Sequence, residues 1–261
     1  IANYYQVIRE DERFSLIRTP DDILAAKKEG KTGLIIGAQS PSFLTGYDME
    51  SVLETFCTLG LRVMQIGYNY RTFAADGCFS PANAGLSDTG IELIRLMEKY
   101  HVTVDLSHAG ERSTLDALEM AEKPQIFSHS NPLALFKHPR NITDEQAKKC
   151  AATGGVVGVS TYNVTLWDGK KFPSIDTFLD CVCYYCDLIG VDHVGIGLDS
   201  TATEGCYSRA EILYFTKLIR KVSGEKAVAY QAYSQGRHPV NAYSLEGLAC
   251  LANWVNLIYG M

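Results

Sequence analysis

Two histidines and an aspartate, each at the end of an apolar run, are the residues of this chain best suited to metal chemistry. His108 ends the segment Val104-Asp-Leu-Ser-His108, His129 ends Ile126-Phe-Ser-His129, and Asp199 ends Val194-Gly-Ile-Gly-Leu-Asp199. Neutral imidazole is a common zinc ligand. An aspartate at such a site either binds the ion or carries a proton beside a metal-bound water. We therefore expect metal-assisted hydrolysis, with ordinary structural roles for these side chains as the alternative.

Arg140 lies in the loop after the His129 run, within Lys137-His-Pro-Arg140-Asn141. Its planar guanidinium could reach over the site and bind a carboxylate through two parallel hydrogen bonds. An arginine that only anchors its loop explains the same position equally well. For the remaining histidines we expect structural roles, because they precede or begin strands or lie in loops: His101, His138, His193 and His238.

A scaffold that gathers strand ends at one face is needed to position these groups, and the sequence predicts one. Short apolar runs alternate with longer helical patterns, which is typical of repeated βαβ units and a parallel sheet. The runs are almost continuously hydrophobic, as in strands buried on both faces. We predict strands at 33–37, 61–66, 103–106, 125–128, 155–160 and 193–198, and helices at 48–59, 87–99, 111–122, 143–152, 174–189 and 208–221.

Polar residues follow each predicted strand. In α/β barrels the catalytic groups lie at the C-terminal ends of the strands, so we expect these residues to line the site. Histidines on two consecutive strands would converge on one ion near the barrel axis. The residues are Gln39; Tyr68 and Asn69; Asp105 and His108; His129; Thr161 and Tyr162; and Asp199.

Several local signals mark the ends of the predicted helices. Thr143 and Gln146 have the spacing of a capping box, and Ser87 is a weaker N-cap. Gly60 and Gly190 directly follow predicted helices, where a residue with left-handed backbone conformation commonly ends a helix. The first thirty residues predict one helix at 20–29 after a loose leader, and the C-terminal part predicts a loop at 226–241 before a last helix at 245–259.

Composition restricts the class of partner. The 261 residues, 46% hydrophobic, suit one domain over 1–261, and the net charge of −6 without a Lys/Arg cluster argues against nucleic acid or an anionic membrane as partner. No apolar run approaches the roughly 20 residues of a bilayer span, and no signal segment is visible. We expect a cytoplasmic protein that acts on small molecules, unless a leader has been removed. Cys181, Cys183 and Cys186 fall within one predicted helix and cannot all face one ion, so we expect them to pack.

A set of motifs in unbroken order resembles the membrane (renal) dipeptidase family of zinc peptidases, over about Gly33 to Asp199. The motifs are Gly85-Leu-Ser-Asp88, Val104-Asp-Leu-Ser-His108, Phe127-Ser-His-Ser-Asn131, His138-Pro-Arg-Asn-Ile-Thr-Asp-Glu145, Gly154-Gly-Val-Val-Gly158 and Gly190-Val-Asp-His-Val-Gly-Ile-Gly-Leu-Asp199. The resemblance implies an α/β fold, a TIM (β/α)8 barrel of the metal-dependent hydrolase type. It also implies two zinc ions, hydrolysis of dipeptides that tolerates a D-residue at the C-terminal side, and often a homodimer.

The resemblance assigns roles to individual residues. His108 and His129 match the two histidines that hold the second zinc. Arg140 matches the arginine that binds the substrate carboxylate, and Asp199 the aspartate that handles the proton of the attacking water or the leaving amine. Tyr68 stands where the family has a substrate-contacting histidine, and we expect Asn69 beside it to bind substrate as well.

Three departures from the family pattern affect the expected activity. The His-x-Asp pair of the first strand has no counterpart, since no histidine precedes Gly33, and six strands are two fewer than a closed barrel needs. We therefore expect a chain that is truncated at its N-terminus, with shortening at the C-terminus as a second expectation. Gln39 replaces the glutamate that bridges both metals, which a neutral amide does poorly, although the chain resembles a bacterial subgroup with Gln at this position. Tyr68 replaces the histidine.

Three hypotheses follow. The first is a dipeptidase-like amide hydrolase with one zinc, the second site being weakened. The second is a non-catalytic relative that binds a small ligand or partner at the position of the family's active site. The third is an enzyme that hydrolyses a different carbonyl compound, such as a lactone, because metal barrels support many chemistries.

Overall fold

The computed structural model describes residues 1–44, 48–170 and 173–199. Two compact units are present: the first is Ile1–Ile126 and the second begins at Phe127. The predicted helix at 208–221, the loop at 226–241, the last helix at 245–259 and His238 all lie outside the described residues.

The first unit alternates helices with short strands. Its helices are α1 (Ala2–Glu10), α2 (Pro20–Lys28), α3 (Met49–Thr58), α4 (Asp88–Lys99) and α5 (Glu111–Glu119), and its strands are β1 (Phe14–Leu16), β2 (Thr32–Leu34), β3 (Ile36–Ala38), β4 (Leu61–Gln65) and β5 (Thr103–Asp105). All strand pairs are parallel, in two sheets of order β1-β2 and β3-β4-β5. The helices α3 and α4 pack on β4 and β5 around fully buried side chains such as Met64, Leu93 and Met97. Parallel pairing through crossover helices confirms the predicted βαβ pattern.

The N-terminal prediction of a loose leader is wrong. Residues Ala2–Glu10 form α1 and Phe14–Leu16 form β1, which pairs with Thr32–Leu34. No residue of α1 is buried; Tyr5 anchors the helix by donating to the Leu59 carbonyl at 3.2 Å. The partner of β1 lies far along the chain, beyond the reach of local sequence signals.

The predicted strand at 33–37 is two strands. Gly33 belongs to β2, where an added Cβ would lie 2.7 Å from Ile17 Cγ1, so the Ile17 side chain packs closely over this glycine. Ile36 begins β3 and pairs with Leu61, with a register shift before Gly37. Ile35 between the strands is 50% exposed. The run therefore divides because its two halves pair with different strands.

The second unit contains α6 (Asp144–Ala152), α7 (Ile175–Ile189), β6 (Val157–Val159) and β7 (Val194–Ile196), with 3-10 turns at Asn163–Leu166 and Val191–His193. The strands pair in parallel, Val157 opposite Val194. Both helices pack on β6, over buried Phe127, Phe178 and Tyr185. Cys181 is buried, Cys183 is exposed and Cys186 is half-buried, so the expected packing role holds for Cys181 but not for Cys183.

The predicted strand at 125–128 is not a regular strand. It makes single parallel bridges, Ile126 to Asp105 in the first unit and Phe127 to Val157 in the second. In residues 1–44, 48–170 and 173–199 the strands form three separate parallel sheets rather than a closed barrel. None of the described helices is long and apolar enough to cross a membrane.

The predicted helix ends are mostly confirmed. Thr143 accepts from the Gln146 amide while the Gln146 side chain accepts from Thr143, which is the expected capping box. Ser87 accepts from Gly90 N at 3.0 Å. Gly60 and Gly190 have φ of 96° and 86°. The exception is α5, which ends at Glu119 rather than at 122, because the amides of residues 122 and 123 donate instead to Glu98 Oε1.

Candidate active site

The chain turns sharply after β5 and places His108 at the strand's C-terminal end. Asp105 is buried, and its Oδ1 accepts from the amide of Ser107 at 3.0 Å, which is the contact of an Asx turn. Its Oδ2 accepts from Gln65 Nε2 at 3.1 Å, so the neighbouring strand holds the same carboxylate. His108 follows in the left-handed region, with φ of 70°.

His108 is enclosed by the loop that follows β4. The Tyr68 ring stacks on the imidazole with centroids 4.2 Å apart and planes inclined by 23°. Asn69 Oδ1 lies 2.8 Å from His108 Nδ1. An amide oxygen can only accept, so this contact places the proton on Nδ1 and leaves the lone pair on Nε2. His108 itself is only 7% exposed. The structure thus brings together three of the predicted residues.

The same loop folds back on His108 through its backbone. Cys78 N donates to the His108 carbonyl and Phe79 N to the Asn69 carbonyl, both at 2.8 Å. Asp76, fully buried, accepts from Arg71 Nη1 at 3.0 Å and from Ala84 N at 2.6 Å and so ties the loop together. Sequence reasoning missed Asp76. Its position in a polar, glycine-containing loop after a strand was the only available signal.

Backbone strain concentrates at predicted site residues. Five described residues other than glycine have positive φ, and three of them are Asn69 (57°), His108 (70°) and Asp199 (52°). Such conformations cost about 1–3 kcal/mol each and persist where the surrounding structure determines them, often at functional sites. The observation supports the strand-end loops as the place where the chemistry lies.

In the second unit His129 and Asp199 lie side by side. His129 Nε2 is 4.0 Å from Asp199 Oδ2; the imidazole is buried and the carboxylate is 36% exposed. Ser128 Oγ lies 2.7 Å from His129 Nδ1. Sequence reasoning did not single out Ser128, because a serine beside a histidine is common and only the folded backbone turns the hydroxyl onto the ring.

Glycines in β6 and after β7 allow Asp199 to approach His129. A Cβ at Gly158 or at Gly197 would overlap the Ser128 carbonyl oxygen. The backbone at each of these glycines is therefore in direct contact with the backbone of Ser128. Gly197 N donates to Val159 O at 2.9 Å, and Thr161 Oγ1 donates to the Leu198 carbonyl at 2.7 Å. These bonds fix the backbone immediately before Asp199.

Arg140 lies in the same unit and is 7% exposed. Its Nη2 donates to the His129 carbonyl at 3.1 Å. Within the described residues no carboxylate lies within 4.0 Å of its guanidinium. A buried guanidinium of this kind both anchors its loop and retains donors for an anion, so the two alternatives for Arg140 are compatible.

His138 supports Arg140 through the backbone. Its Nδ1 accepts from Arg140 N at 3.1 Å. Burial of the ring, and secondly the nearby Arg140 charge, lower the pKa of His138 to about 4 although its side chain is partly accessible. The neutral imidazole is also favoured because its Nδ1 accepts a hydrogen bond beside a guanidinium. The structural role expected for His138 is thereby supported, as is that of His193, whose Nδ1 bonds the Gly155 carbonyl at 2.8 Å.

Gln39 directly follows β3 and is exposed. Each of the two residue groups described above belongs to its own unit: Tyr68, Asn69 and His108 to the first, and His129, Arg140 and Asp199 to the second. In the described ranges no three His, Cys, Asp or Glu side chains form a cluster able to hold a metal ion.

Comparison with known proteins decides the ancestry. The family model described as membrane dipeptidase (peptidase family M19) matches residues 1–229. The chain belongs to the membrane dipeptidase family. The resemblance of its motifs is therefore confirmed, and the metal-dependent peptidases of this family are hydrolases that typically use zinc.

Individual members of the membrane dipeptidase family support this placement. Dipeptidase tcpJ of Claviceps purpurea is 31% identical over 193 residues, which are 72% of this chain and 44% of that protein. An amidohydrolase from Pseudomonas aeruginosa superposes with a TM-score of 0.74 and 31% identity, over 82% of this chain and 64% of that one. A metallopeptidase from Rhodobacter sphaeroides, liganded with a phosphinate mimic of the dipeptide L-Ala-D-Ala, superposes with a TM-score of 0.76 over 100% of this chain and 65% of that one. Because the two sequences are only 20% identical, this likeness shows the fold alone. The chain spans about half the length of the curated relatives it matches.

The donor groups of this membrane dipeptidase chain fit zinc in part. Metal-binding histidines usually donate their second nitrogen to an oxygen, and both His108 and His129 have an oxygen at Nδ1. Two donors on one tetrahedral zinc lie about 3.4 Å apart. The 4.0 Å between His129 Nε2 and Asp199 Oδ2 is somewhat longer, and it leaves room for Asp199 to act either as a ligand or as a proton carrier.

Proposed function

We propose that this chain forms most of the active site of a zinc-dependent hydrolase that cleaves the amide bond of dipeptides or similar small amides bearing a carboxylate. The observation that carries the proposal is the group in the second unit, where buried Arg140 bonds the carbonyl of His129 and the His129 imidazole faces Asp199. A guanidinium, an imidazole and a carboxylate are thereby brought together within the second unit.

In this proposal His108 and His129 bind zinc through Nε2, as in the membrane dipeptidases that the motifs resemble. The ion would supply a water molecule of lowered pKa and polarise the scissile carbonyl. Gln39 in place of the bridging glutamate weakens a second ion, so we propose one tightly bound zinc. A closed (β/α)8 barrel formed as a single domain, a homodimer and a cytoplasmic location remain predictions of the same proposal.

The chain's own residues then divide the work. Arg140 binds the substrate carboxylate and fixes the orientation of the amide. Asp199 takes a proton from the attacking water and returns it to the leaving amine. The Tyr68 phenol, on a 37% exposed side chain, donates to the oxygen on which negative charge develops. Each role is electrostatic or proton-transferring and requires no covalent intermediate with the protein.

Metal content and turnover test the proposal together. The full-length protein, purified without chelator, should contain one to two equivalents of zinc and hydrolyse L-Ala-D-Ala or a similar dipeptide. The variants His108→Ala and His129→Ala should lose both properties. His101→Asn is the matched control, because His101 is exposed and its φ of 57° suits asparagine. Turnover that survives His129→Ala would refute the assignment.

A second candidate, a non-catalytic relative that binds a small carboxylate ligand, is favoured by one observation. Gln39 follows β3 where the family has its bridging carboxylate, and an amide bridges two dications poorly. Under this alternative the full-length protein binds a dipeptide in an Arg140-dependent manner but does not cleave it. The variant Gln39→Glu separates a weakened metal site from an absent one. Zinc stoichiometry should rise in this variant if the site is only weakened, and should stay unchanged if the site is absent.

A further inference from the structure

We propose that Asn69 is a positioning residue for His108 rather than a substrate contact: its side-chain oxygen fixes the tautomer and orientation of the imidazole, so that Nε2 carries the lone pair. The inference deepens the proposed function and rests on it in one respect only, that zinc is what Nε2 would bind. It replaces the sequence-based expectation that Asn69 touches substrate.

The side-chain contact supplies the first argument. Asn69 Oδ1 and His108 Nδ1 are 2.8 Å apart, and both residues are 7% exposed. A hydrogen bond between buried groups is costly to lose, because a partner left unsatisfied has given up its hydration without gaining a protein contact. Little water can compete at this depth, so the bond should hold one tautomer rather than a mixture.

The contrast with His129 sharpens this argument. The oxygen at His129 Nδ1 is the hydroxyl of Ser128, which can donate as well as accept. Ser128 therefore permits either tautomer of His129. An amide oxygen permits only the protonated Nδ1, so of these two imidazoles it is His108 whose tautomer is set by its partner.

The backbone at Asn69 supplies the second argument. Tyr70 N donates to Tyr68 O at 2.6 Å, which encloses Asn69 in a three-residue turn with φ of 57°. Turns of this size with positive φ are rare and strained. Glycine would adopt the conformation without that strain. Asparagine at this position costs backbone strain that glycine would avoid, which indicates that the side-chain amide of Asn69 has a function.

The surrounding contacts supply the third argument, since they hold both partners in place. Cys78 N bonds the His108 carbonyl and Phe79 N bonds the Asn69 carbonyl, each at 2.8 Å. A Cβ at Gly77 would overlap the Asn69 carbonyl carbon, so the two backbones approach as closely as glycine allows. Tyr68 covers one face of the imidazole. The ring plane, the ring rotation and the proton position are thus each fixed by a separate contact.

The test uses Asn69→Gly and Asn69→Asp in the full-length protein, with Asn83→Gly as matched control. Glycine removes the oxygen while suiting the positive φ, and aspartate restores an oxygen that can only accept. Asn83 lies in the same unit, has φ of 43°, and its Oδ1 accepts from Arg112 N at 3.0 Å rather than from the His108 ring. Its replacement therefore controls for the loss of a left-handed asparagine.

Two measurements read the outcome. The first is the imidazole nitrogen chemical shifts of the metal-free protein, at a pH above histidine titration, with His108 assigned through His108→Gln. The wild type, Asn69→Asp and Asn83→Gly should show Nδ1–H at His108, and Asn69→Gly should show a mixture of tautomers or the other one. The second is zinc affinity by chelator competition, which Asn69→Gly should weaken by about 10–100-fold, the usual effect of losing such a supporting contact.

The outcomes separate this inference from the proposed function. If Asn69→Gly keeps the Nδ1–H tautomer and zinc affinity but raises KM for a dipeptide, Asn69 is a substrate contact and the inference is overturned. If the wild type binds no zinc while the tautomer still follows Asn69, the positioning role is supported and the zinc hydrolase is refuted. An Asn83→Gly variant that changes the His108 tautomer equally would also overturn the inference.

Discussion

Replacing Gly197 by alanine should test how closely β7 must approach His129. The new Cβ would overlap the Ser128 carbonyl oxygen and lie 2.8 Å from Ser128 C and 3.2 Å from His129 Cα. All three are backbone atoms, so no rotamer change can relieve the overlap. Overpacking typically costs 1–3 kcal/mol, and we expect about 3 kcal/mol because the backbone itself must move.

Gly195→Ala, two residues earlier and within β7, is the matched control. Its Cβ would meet only Val156 Cγ1 at 3.0 Å, the end of a side chain, and Gly158 Cα at 4.0 Å. We expect about 1 kcal/mol for this variant. At about 2–4 °C per kcal/mol for a chain of this size, Gly197→Ala should lower Tm by about 6–12 °C and the control by about 2–4 °C.

Calorimetry of both variants at one scan rate, followed by dipeptide kinetics, provides the assay. Gly197→Ala should also reduce kcat, because the displaced backbone carries Asp199 away from His129, whereas Gly195→Ala should retain kcat. Equal Tm values for the two variants would refute the packing argument. A destabilised Gly197→Ala with normal kcat would instead refute the link between that approach and the position of Asp199.

Three further predictions address single contacts. Arg140→Lys should raise KM for dipeptides at least about tenfold with a smaller change in kcat, because lysine lacks the bidentate fork. Steady-state kinetics check this prediction. Amides with the same N-terminal residue but no carboxylate are the control substrates, and their KM should not change. Thr143→Ala should lower stability by about 1 kcal/mol through loss of the capping box, measurable as a Tm shift with unchanged kcat. Because the folded pKa of His138 is about 4, below the unfolded value of about 6.5, the unfolded state binds more protons between these values. Stability should therefore fall as pH decreases from about 6.5 to about 4, and less steeply in His138→Gln; equal slopes in urea titrations would contradict this.

The sequence predicted the site residues to the extent that they depend on strand ends. His108 and Asp199 follow apolar runs whose periodicity is local, so their places after strands β5 and β7 could be inferred without contacts. His129 follows a run that makes only single bridges rather than a regular strand. The capping box of Thr143 and Gln146 is equally local, since both partners lie within one helical turn. Such features follow from short-range physics and were predicted correctly.

Other features depend on partners far along the chain and were not predictable. The short strand β1 exists because Thr32–Leu34 pairs with it, and the run 33–37 divides because Ile36 pairs with Leu61. Asp76 and Ser128 have no distinctive local pattern. The contact of Asn69 with His108 joins residues 39 positions apart, so sequence reasoning could place Asn69 near the site but not give it a partner.

The left-handed backbone at Asn69, His108 and Asp199 also limits which residues mutation can supply there. Left-handed φ is tolerated best by glycine; among other residues asparagine, aspartate and histidine are enriched there, and β-branched residues are excluded most strongly. The backbone conformation therefore restricts which substitutions these positions tolerate before side-chain chemistry does. A glycine relieves the backbone strain but removes the side-chain contact, as at position 69, where it would remove the oxygen that lies 2.8 Å from His108 Nδ1. Backbone strain and side-chain function therefore oppose each other at these positions.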